Sequence, residues 1–456
     1  MATIIEQNPL YKVLPVGQDV IFSVSNSSVV STFTKVKFIA EVHISSGLPP
    51  NPSLSTGVVG TFKTTPNNAG VGMFDFRPVI ESFVKSDNTA RKGSVYKLAL
   101  NTTNTNVPMH LIDKYSGNIN TIRYLVIQFK VEYIDLAGDL QTGQAVNSNL
   151  YQVFNGYLKH TDGLSLSGNN FGYDLSDFSL NAVTKNFLTN APTTQYANLE
   201  DYGTVGMLMS GYFTSGITFD YYDESGSSIG SETTTHLANS GGFLYPNAIT
   251  EAKILFAGIF PANLQNWSTM FQGLLSTISY YKVTAVDSAG HQLSERYTIN
   301  VNCPNLKGYE PVRLTWLNQW GVWDYYTFTM KSTKMISTKG STYQQLGGSW
   351  NEKAYRIDSF KGGKKSFRVN ATEKVTMNTD FVSESESEWF EDLINSPEVY
   401  ILEGFKTDTA NSSLNKYVTP VRLTTSSYTK KTVANDKLMQ YTFEVEKSKT
   451  LRTQAV

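Results

Sequence analysis

Apolar residues along this chain tend to recur at every second position. In "FTKVKFIAEVHIS" (33–45), Phe33, Lys35, Lys37 and Ile39 share one parity, while Val36, Phe38, Ala40 and Val42 share the other. Successive side chains of a strand point to opposite faces, so this spacing predicts a strand with one buried face. "RYLVIQFKVEYID" (123–135) predicts a second strand of the same grade. The longest apolar runs, such as "YLVIQF" (124–129), are strand-sized, far short of the roughly 20 apolar residues that a membrane-spanning helix needs. The 26 Tyr and 25 Phe, with abundant Thr, Val and Ile and punctuating Asn, Ser and Gly, suit pleated half-buried surfaces joined by turns. The expected fold class is mainly β. A chain of 456 residues exceeds one ordinary core and suggests about two to four domains.

Four stretches follow. Residues 1–155 read as an N-terminal β-sandwich with one helix. Its strands are "QDVIFSVSN" (18–26), 33–45, "GVVGTFKTTP" (57–66) and 123–135, with "DLAGDL" (135–140) as the last turn. The helix is expected within "GVGMFDFRPVIESFVKSD" (70–87), where Asp75 caps, Pro78 suits an early helical position, and Phe76, Val79, Ile80 and Phe83 form an apolar stripe. Residues 156–200, rich in Gly, Ser and Asn, read as an excursion or linker. Residues 201–305 read as a central β-sandwich of two hairpins, with turns at "ESGS" and "DSAG". "NCPNLKGYEP" (302–311) marks a boundary, and 306–456 read as a C-terminal β-sandwich with a flanking helix. That helix lies in "FVSESESEWFEDLINSPEVYILEG" (381–404). Ser383 and Glu386 have capping-box spacing, Trp389, Phe390, Leu393 and Ile394 make the apolar stripe, and Pro397 ends it. "EVYIL", "VTPVRLTT" and "QYTFEVEKS" supply the last strands.

Net charge is −1, without the basic excess of a typical nucleic-acid binder. "KGGKK" (361–365) reads as a solvated turn. Cys303 is the only cysteine, so no intrachain disulfide and no cysteine-based zinc site can form. The N-terminal stretch lacks the pattern of a secretion signal, and folding in a cytoplasm is expected.

Signals for chemistry are few. His43, His110, His160, His236 and His291 are scattered, whereas metal sites need clustered ligands. "GGKKS" (362–366) lacks the upstream glycine and the Gly-Lys-Ser order of a phosphate loop. Cys303, followed by Pro304, reads as a small buried residue rather than a nucleophile. Acidic pairs such as Asp220 with Asp223, or Glu388 with Asp392, have the composition for glycoside hydrolysis, but β proteins of this length commonly offer such pairs. No catalytic, cofactor-binding or metal residue is assigned, and no enzyme activity is expected.

"VRLTWLNQWGVWDYYTFTM" (312–330) holds three of the six tryptophans. It would suit a sugar-stacking platform, a catalytic cleft or the middle of a sheet. Val312, Leu314 and Trp316 share a parity, as do Tyr326, Phe328 and Met330, and Gly321 suits the left-handed position of a short hairpin loop. The expected reading is core or subunit packing, with Trp320 at the turn the most exposed.

"EPVRLTWLNQWGVWDYYTFTM", "SEWFEDLINSPEVYIL" and "YVTPVRLTTSSYTKK", together with the N-terminal "FTKVKFIAEVHI…GTFKTTPNNAGVGMFDFRPVIESFV", resemble virion structural proteins of tailed phages. The resemblance is to ring or tail proteins of crAss-like, short-tailed phages that infect Bacteroidetes. It covers both ends of the chain; the middle resembles only immunoglobulin-like or fibronectin-like sandwiches. It implies tail-tube-like sandwiches with a helix on one flank, assembled as a homo-oligomeric ring in the neck or tail. The implied partners are further copies of the chain and portal, ring, tail or fibre proteins, in a virion put together in the host cytoplasm. Neither sequence-specific nucleic-acid binding nor a membrane span is expected. The alternatives are a host-receptor or glycan-binding tail or fibre-adaptor protein with Trp320 as its platform, and a carboxylate-based depolymerase.

Overall fold

The computed structural model describes residues 3–46, 50–52, 57–86, 88–90, 108–117, 120–160, 162–180, 184–209, 214, 216–235, 253–302, 308–350, 353–403, 417–429 and 439–452. The chain is mainly β, with several sheets and a few short helices, in keeping with a multi-domain β-sandwich protein. It divides into two compact units. The first is Met1–Asn302 with Leu317–Asp324 and Gly404–Asn415, and the second is Cys303–Trp316, Tyr325–Glu403 and Lys416–Val456.

In the first unit, a three-stranded sheet (Ile4–Gln7, Ile21–Ser25, Val71–Asp75) and a seven-stranded one share a core. The larger sheet runs Val13–Pro15, Tyr151–Phe154, Ile122–Ile134, Thr34–Ser45, Val58–Thr64, with two short strands also paired to Ile122–Ile134. Val36, Phe38, Ala40 and Val42 are all buried, as the alternation in the sequence requires. The Phe22 ring of one sheet lies 5.6 Å from the Phe129 ring of the other, and Phe74 lies 5.8 Å from Phe129. Asp135 makes the expected turn: its carboxylate accepts from the backbone N–H of Ala137 and Asp139, each at 2.9 Å.

The helix expected within 70–87 is present, but it is short and follows a strand. Val71–Asp75 is a strand paired with Ile21–Ser25, and the helix is only Arg77–Ile80, continued by a 3-10 turn over Glu81–Phe83. "VGMFD" alternates, and pairing puts Phe74 opposite Phe22, which outweighs any local helical tendency. Asp75 does serve the helix start, accepting from the Arg77 N–H at 3.0 Å.

Residues 156–200 are corrected from an excursion to part of the unit. They hold the hairpin Leu164–Ser167 with Asn170–Tyr173, and two strands that join later sheets in parallel. Ser179–Leu180 edges a four-stranded sheet that also takes Tyr115–Gly117 from upstream. Thr194–Asn198 edges a five-stranded sheet with Tyr297–Asn302, Tyr280–Val286, Gly216–Tyr222 and Ser228–Thr235. These strands are too short and polar to produce a periodic signal; long-range pairing makes them. The expected modules 1–155 and 201–305 therefore lie within one compact unit rather than two. This unit also carries the helices Ser27–Thr32, Pro261–Trp267 and Thr269–Leu274 besides the one expected.

The second unit is built on a seven-stranded sheet in the order Trp323–Phe328, Val312–Leu317, Val399–Leu402, Val418–Leu423, Thr442–Lys447, Gly363–Asn378, Thr333–Gln345. Helix Glu384–Asn395 packs on it through Trp389, Phe390 and Leu393, all buried. Its capping box is complete: Ser383 Oγ accepts from the Glu386 N–H at 3.3 Å, and Glu386 Oε2 accepts from the Ser383 N–H at 2.8 Å.

Candidate functional site: a basic arm with an apolar tip

The tryptophan-bearing ribbon is sealed. Trp316 is fully buried, with its ring 5.0 Å from Trp389 and 6.4 Å from Phe390. Phe328 lies 6.3 Å from Phe390 and 5.7 Å from Phe443. All six residues of Val312–Leu317 are buried, so both faces of this strand are covered rather than one. Arg313, between the apolar positions, donates to Thr327 Oγ1 at 2.7 Å and sits 5.3 Å over the Tyr325 ring.

Trp320 is a correction. It is 3% exposed, its ring lies 4.1 Å from the Phe178 ring at a tilt of 38°, and its Nε1 donates to Asn190 Oδ1 at 3.4 Å. Asn318 causes this. Its Oδ1 accepts from the N–H groups of Trp320 and Val322, and its Nδ2 donates to the Leu188 carbonyl at 3.0 Å. The loop Leu317–Asp324 belongs to the first unit, and Gly321 within it has φ 71°. Trp323 lies 5.0 Å from the His110 ring in the same unit. The indole expected to be outermost is therefore packed away.

The other candidates have structural surroundings. His43 and His110 are buried, and His160 is exposed. His291 pairs through Nδ1 with Asp287 at 2.9 Å in a hairpin turn. Asp220 accepts from Ser231 at 2.6 Å, and Asp223 closes its own turn by accepting from the Ser227 N–H at 2.9 Å. Asp392 is buried and Glu388 exposed, one helical turn apart. His236 and Cys303 lie outside the described residues. Among the described residues, no three His, Cys, Asp or Glu form a group able to hold a metal ion. No described helix is long and apolar enough to cross a membrane, a statement about helices alone.

The feature that sequence reading missed is an arm. Thr333–Gln345 and Gly363–Asn378 pair antiparallel over thirteen positions, with one bulge. A strand over a core alternates between buried and exposed, yet the first ten residues of Thr333–Gln345 and the first seven of Gly363–Asn378 are all exposed. Both faces of this ribbon are therefore in solvent. Thr442–Lys447 supports only its base, pairing with 374–378. Two-stranded ribbons are marginal in water, yet the outer part of this one is exposed and bears apolar side chains.

Register sorts the side chains, because residues directly opposite share a face. Lys339 and Ser341 lie opposite Asn370 and Arg368, and Tyr343 lies opposite Lys365. Lys339, Arg368 and Lys365 thus make one face basic. Ile336, Thr338 and Gly340 lie opposite Glu373, Ala371 and Val369 on the other. Phe367 is the extra residue at the bulge, its ring 6.3 Å from Tyr343.

Beyond the ribbon the tip is shaped by a small pair, Gly348–Ser349 with Arg356–Ile357. Asp358 staples it: its carboxylate accepts from Ser349 Oγ at 2.6 Å and meets Lys361 Nζ at 3.1 Å. The Ser349 hydroxyl first, then Lys361, holds this carboxyl below its ordinary range. Gly362 and Gly363, both at positive φ, start the return strand, so "KGGKK" lies on the arm. Leu346, Trp350, Ile357 and Phe360 are 70%, 77%, 83% and 76% exposed. Trp350 is the one exposed tryptophan of the six. Covering these four side chains is worth roughly 6–12 kcal/mol gross, at about 1.5–3 kcal/mol each.

Charge reinforces the pattern. Residues 333–370 contain eight Lys and Arg against two Asp and Glu, a net +6 in a chain of net −1. The rest of the chain is thus net −7. The surplus was legible in the sequence, but the exposure that gives it meaning was not. Comparison of the chain with protein-family models and with curated proteins finds no match.

Proposed function

We propose that this chain is a structural virion protein of a tailed bacteriophage, a subunit of an oligomeric ring in the neck or tail between portal and distal tail. In this reading it is non-enzymatic, assembles in the bacterial host cytoplasm and serves as an attachment platform for neighbouring tail proteins. Two things support it: the resemblance of both ends of the sequence to ring and tail proteins of crAss-like phages, and the arm. The arm carries the case, because a ribbon bare on both faces with four large apolar side chains at its end suits a protein that works covered by a partner. Ring contacts are heterologous, one face of a subunit meeting a different face of the next. Native mass spectrometry of the full chain and cryo-electron microscopy of intact particles test the reading. It expects a regular multimer in a ring; a monomer at all concentrations that is absent from particles would overturn it.

The second reading, a receptor- or glycan-binding tail or fibre-adaptor protein, is favoured by Trp350, Tyr355 and Phe360, all exposed on the arm. A glycan array with wild type and Trp350→Ala decides this. Binding by wild type that the substitution removes supports it, and absent or equal binding by both refutes that platform.

A further inference from the structure

Resting on the ring reading, we infer that the arm's partner is a second copy of this chain, and that the arm docks on the acidic, leucine-bearing hairpin tip Asp135–Leu140 of that copy. Three observations lead there. The arm is net +6 over 333–370 and the remainder of the chain is net −7, so the arm of one copy and the body of another are complementary in charge. The apolar side chains at the arm's end need an apolar receiver. Among the described residues, Leu136 is the most exposed large hydrophobic at 86%, with Leu140 at 64% beside it. Asp135 and Asp139 flank these leucines, and Asp135 is held ionised chiefly by the Asp139 N–H and the Gln141 amide.

Charge and apolarity are therefore matched on both sides: leucines within carboxylates on one copy, aromatic and aliphatic side chains among lysines and arginines on the other. A nucleic acid would also answer the positive charge. It would leave Ile336, Leu346 and Ile357 in water, since aliphatic side chains offer bases no stacking face. The net negative remainder of the chain would also repel phosphate.

A charge-swap experiment on the full chain tests this. Lys365→Glu with Arg368→Glu alters the basic face of the arm, and Leu136→Lys with Asp139→Lys alters the receiver. All four positions are exposed, so unchanged far-UV circular dichroism is expected. By sedimentation, each double variant alone should associate roughly a hundredfold more weakly than wild type. Mixing the two should restore mixed oligomers, and added salt should weaken wild-type association. Trp350→Ser with Ile357→Ser should weaken association without rescue by any charge variant. If wild type forms multimers and the arm variants form them equally well, the ring reading stands and this inference fails. A mixture that stays dissociated refutes the chosen receiver. If the arm variants lose retention on DNA while multimers persist, nucleic acid is the occupant and the inference is overturned. A wild type that never associates removes both readings.

Discussion

Replacing Gly321 by alanine isolates what holds the tryptophan loop. Gly321 has φ 71°, and a Cβ there would lie 2.1 Å from the Asn155 carbonyl oxygen. Gly138 also has positive φ, at 92°, but a Cβ there meets nothing within 4 Å. Both glycines belong to the first unit. Placing alanine in the left-handed region costs about 1–2 kcal/mol at either site. Only at Gly321 must a backbone oxygen also move, adding about 1–3 kcal/mol as overpacking does. Gly138→Ala is therefore expected to cost about 1–2 kcal/mol and Gly321→Ala about 2–5 kcal/mol. Urea unfolding read by tryptophan fluorescence and far-UV circular dichroism measures both, with equal slopes required before midpoints are compared. Equal losses at the two sites would refute the claim that the loop is pressed against Asn155.

In the second unit, Trp389→Ala removes an indole packed against Trp316 at 5.0 Å and Tyr326 at 6.0 Å, and should cost about 3–5 kcal/mol in chemical denaturation. Ser383→Ala breaks the capping box and should cost about 1 kcal/mol by the same measurement. Acrylamide should quench one class of tryptophan readily, and Trp350→Phe should remove that class while the ribbon tryptophans stay protected. The depressed pKa of Asp358 means that its support of the arm tip is present above the ordinary carboxylate pKa and is lost as pH falls through the lowered value. Trp350 emission should accordingly shift below about pH 4, and Asp358→Asn should flatten that response.

Elements whose signal is local were legible from residue order alone. Alternation at 33–45 and 123–135 placed two central strands, because a half-buried strand must alternate. Ser383, Glu386 and Pro397 delimited a helix, because its free backbone groups need partners at the first turn and proline cannot continue it. Trp316 and Trp323 were legible as packing because large apolar surface seeks burial. Other elements depend on long-range pairing. Val71–Asp75 became a strand through its register with Ile21–Ser25, and 156–200 joined the first unit through parallel pairings with strands far along the chain. Trp320 was buried by Phe178 and Asn190, more than a hundred residues away in sequence. The arm was hidden because Thr, Lys and Ser alternating with occasional Ile, Val and Phe read alike whether one face is covered or neither. Which faces meet solvent is set by what the chain brings against them, and that depends on distant residues.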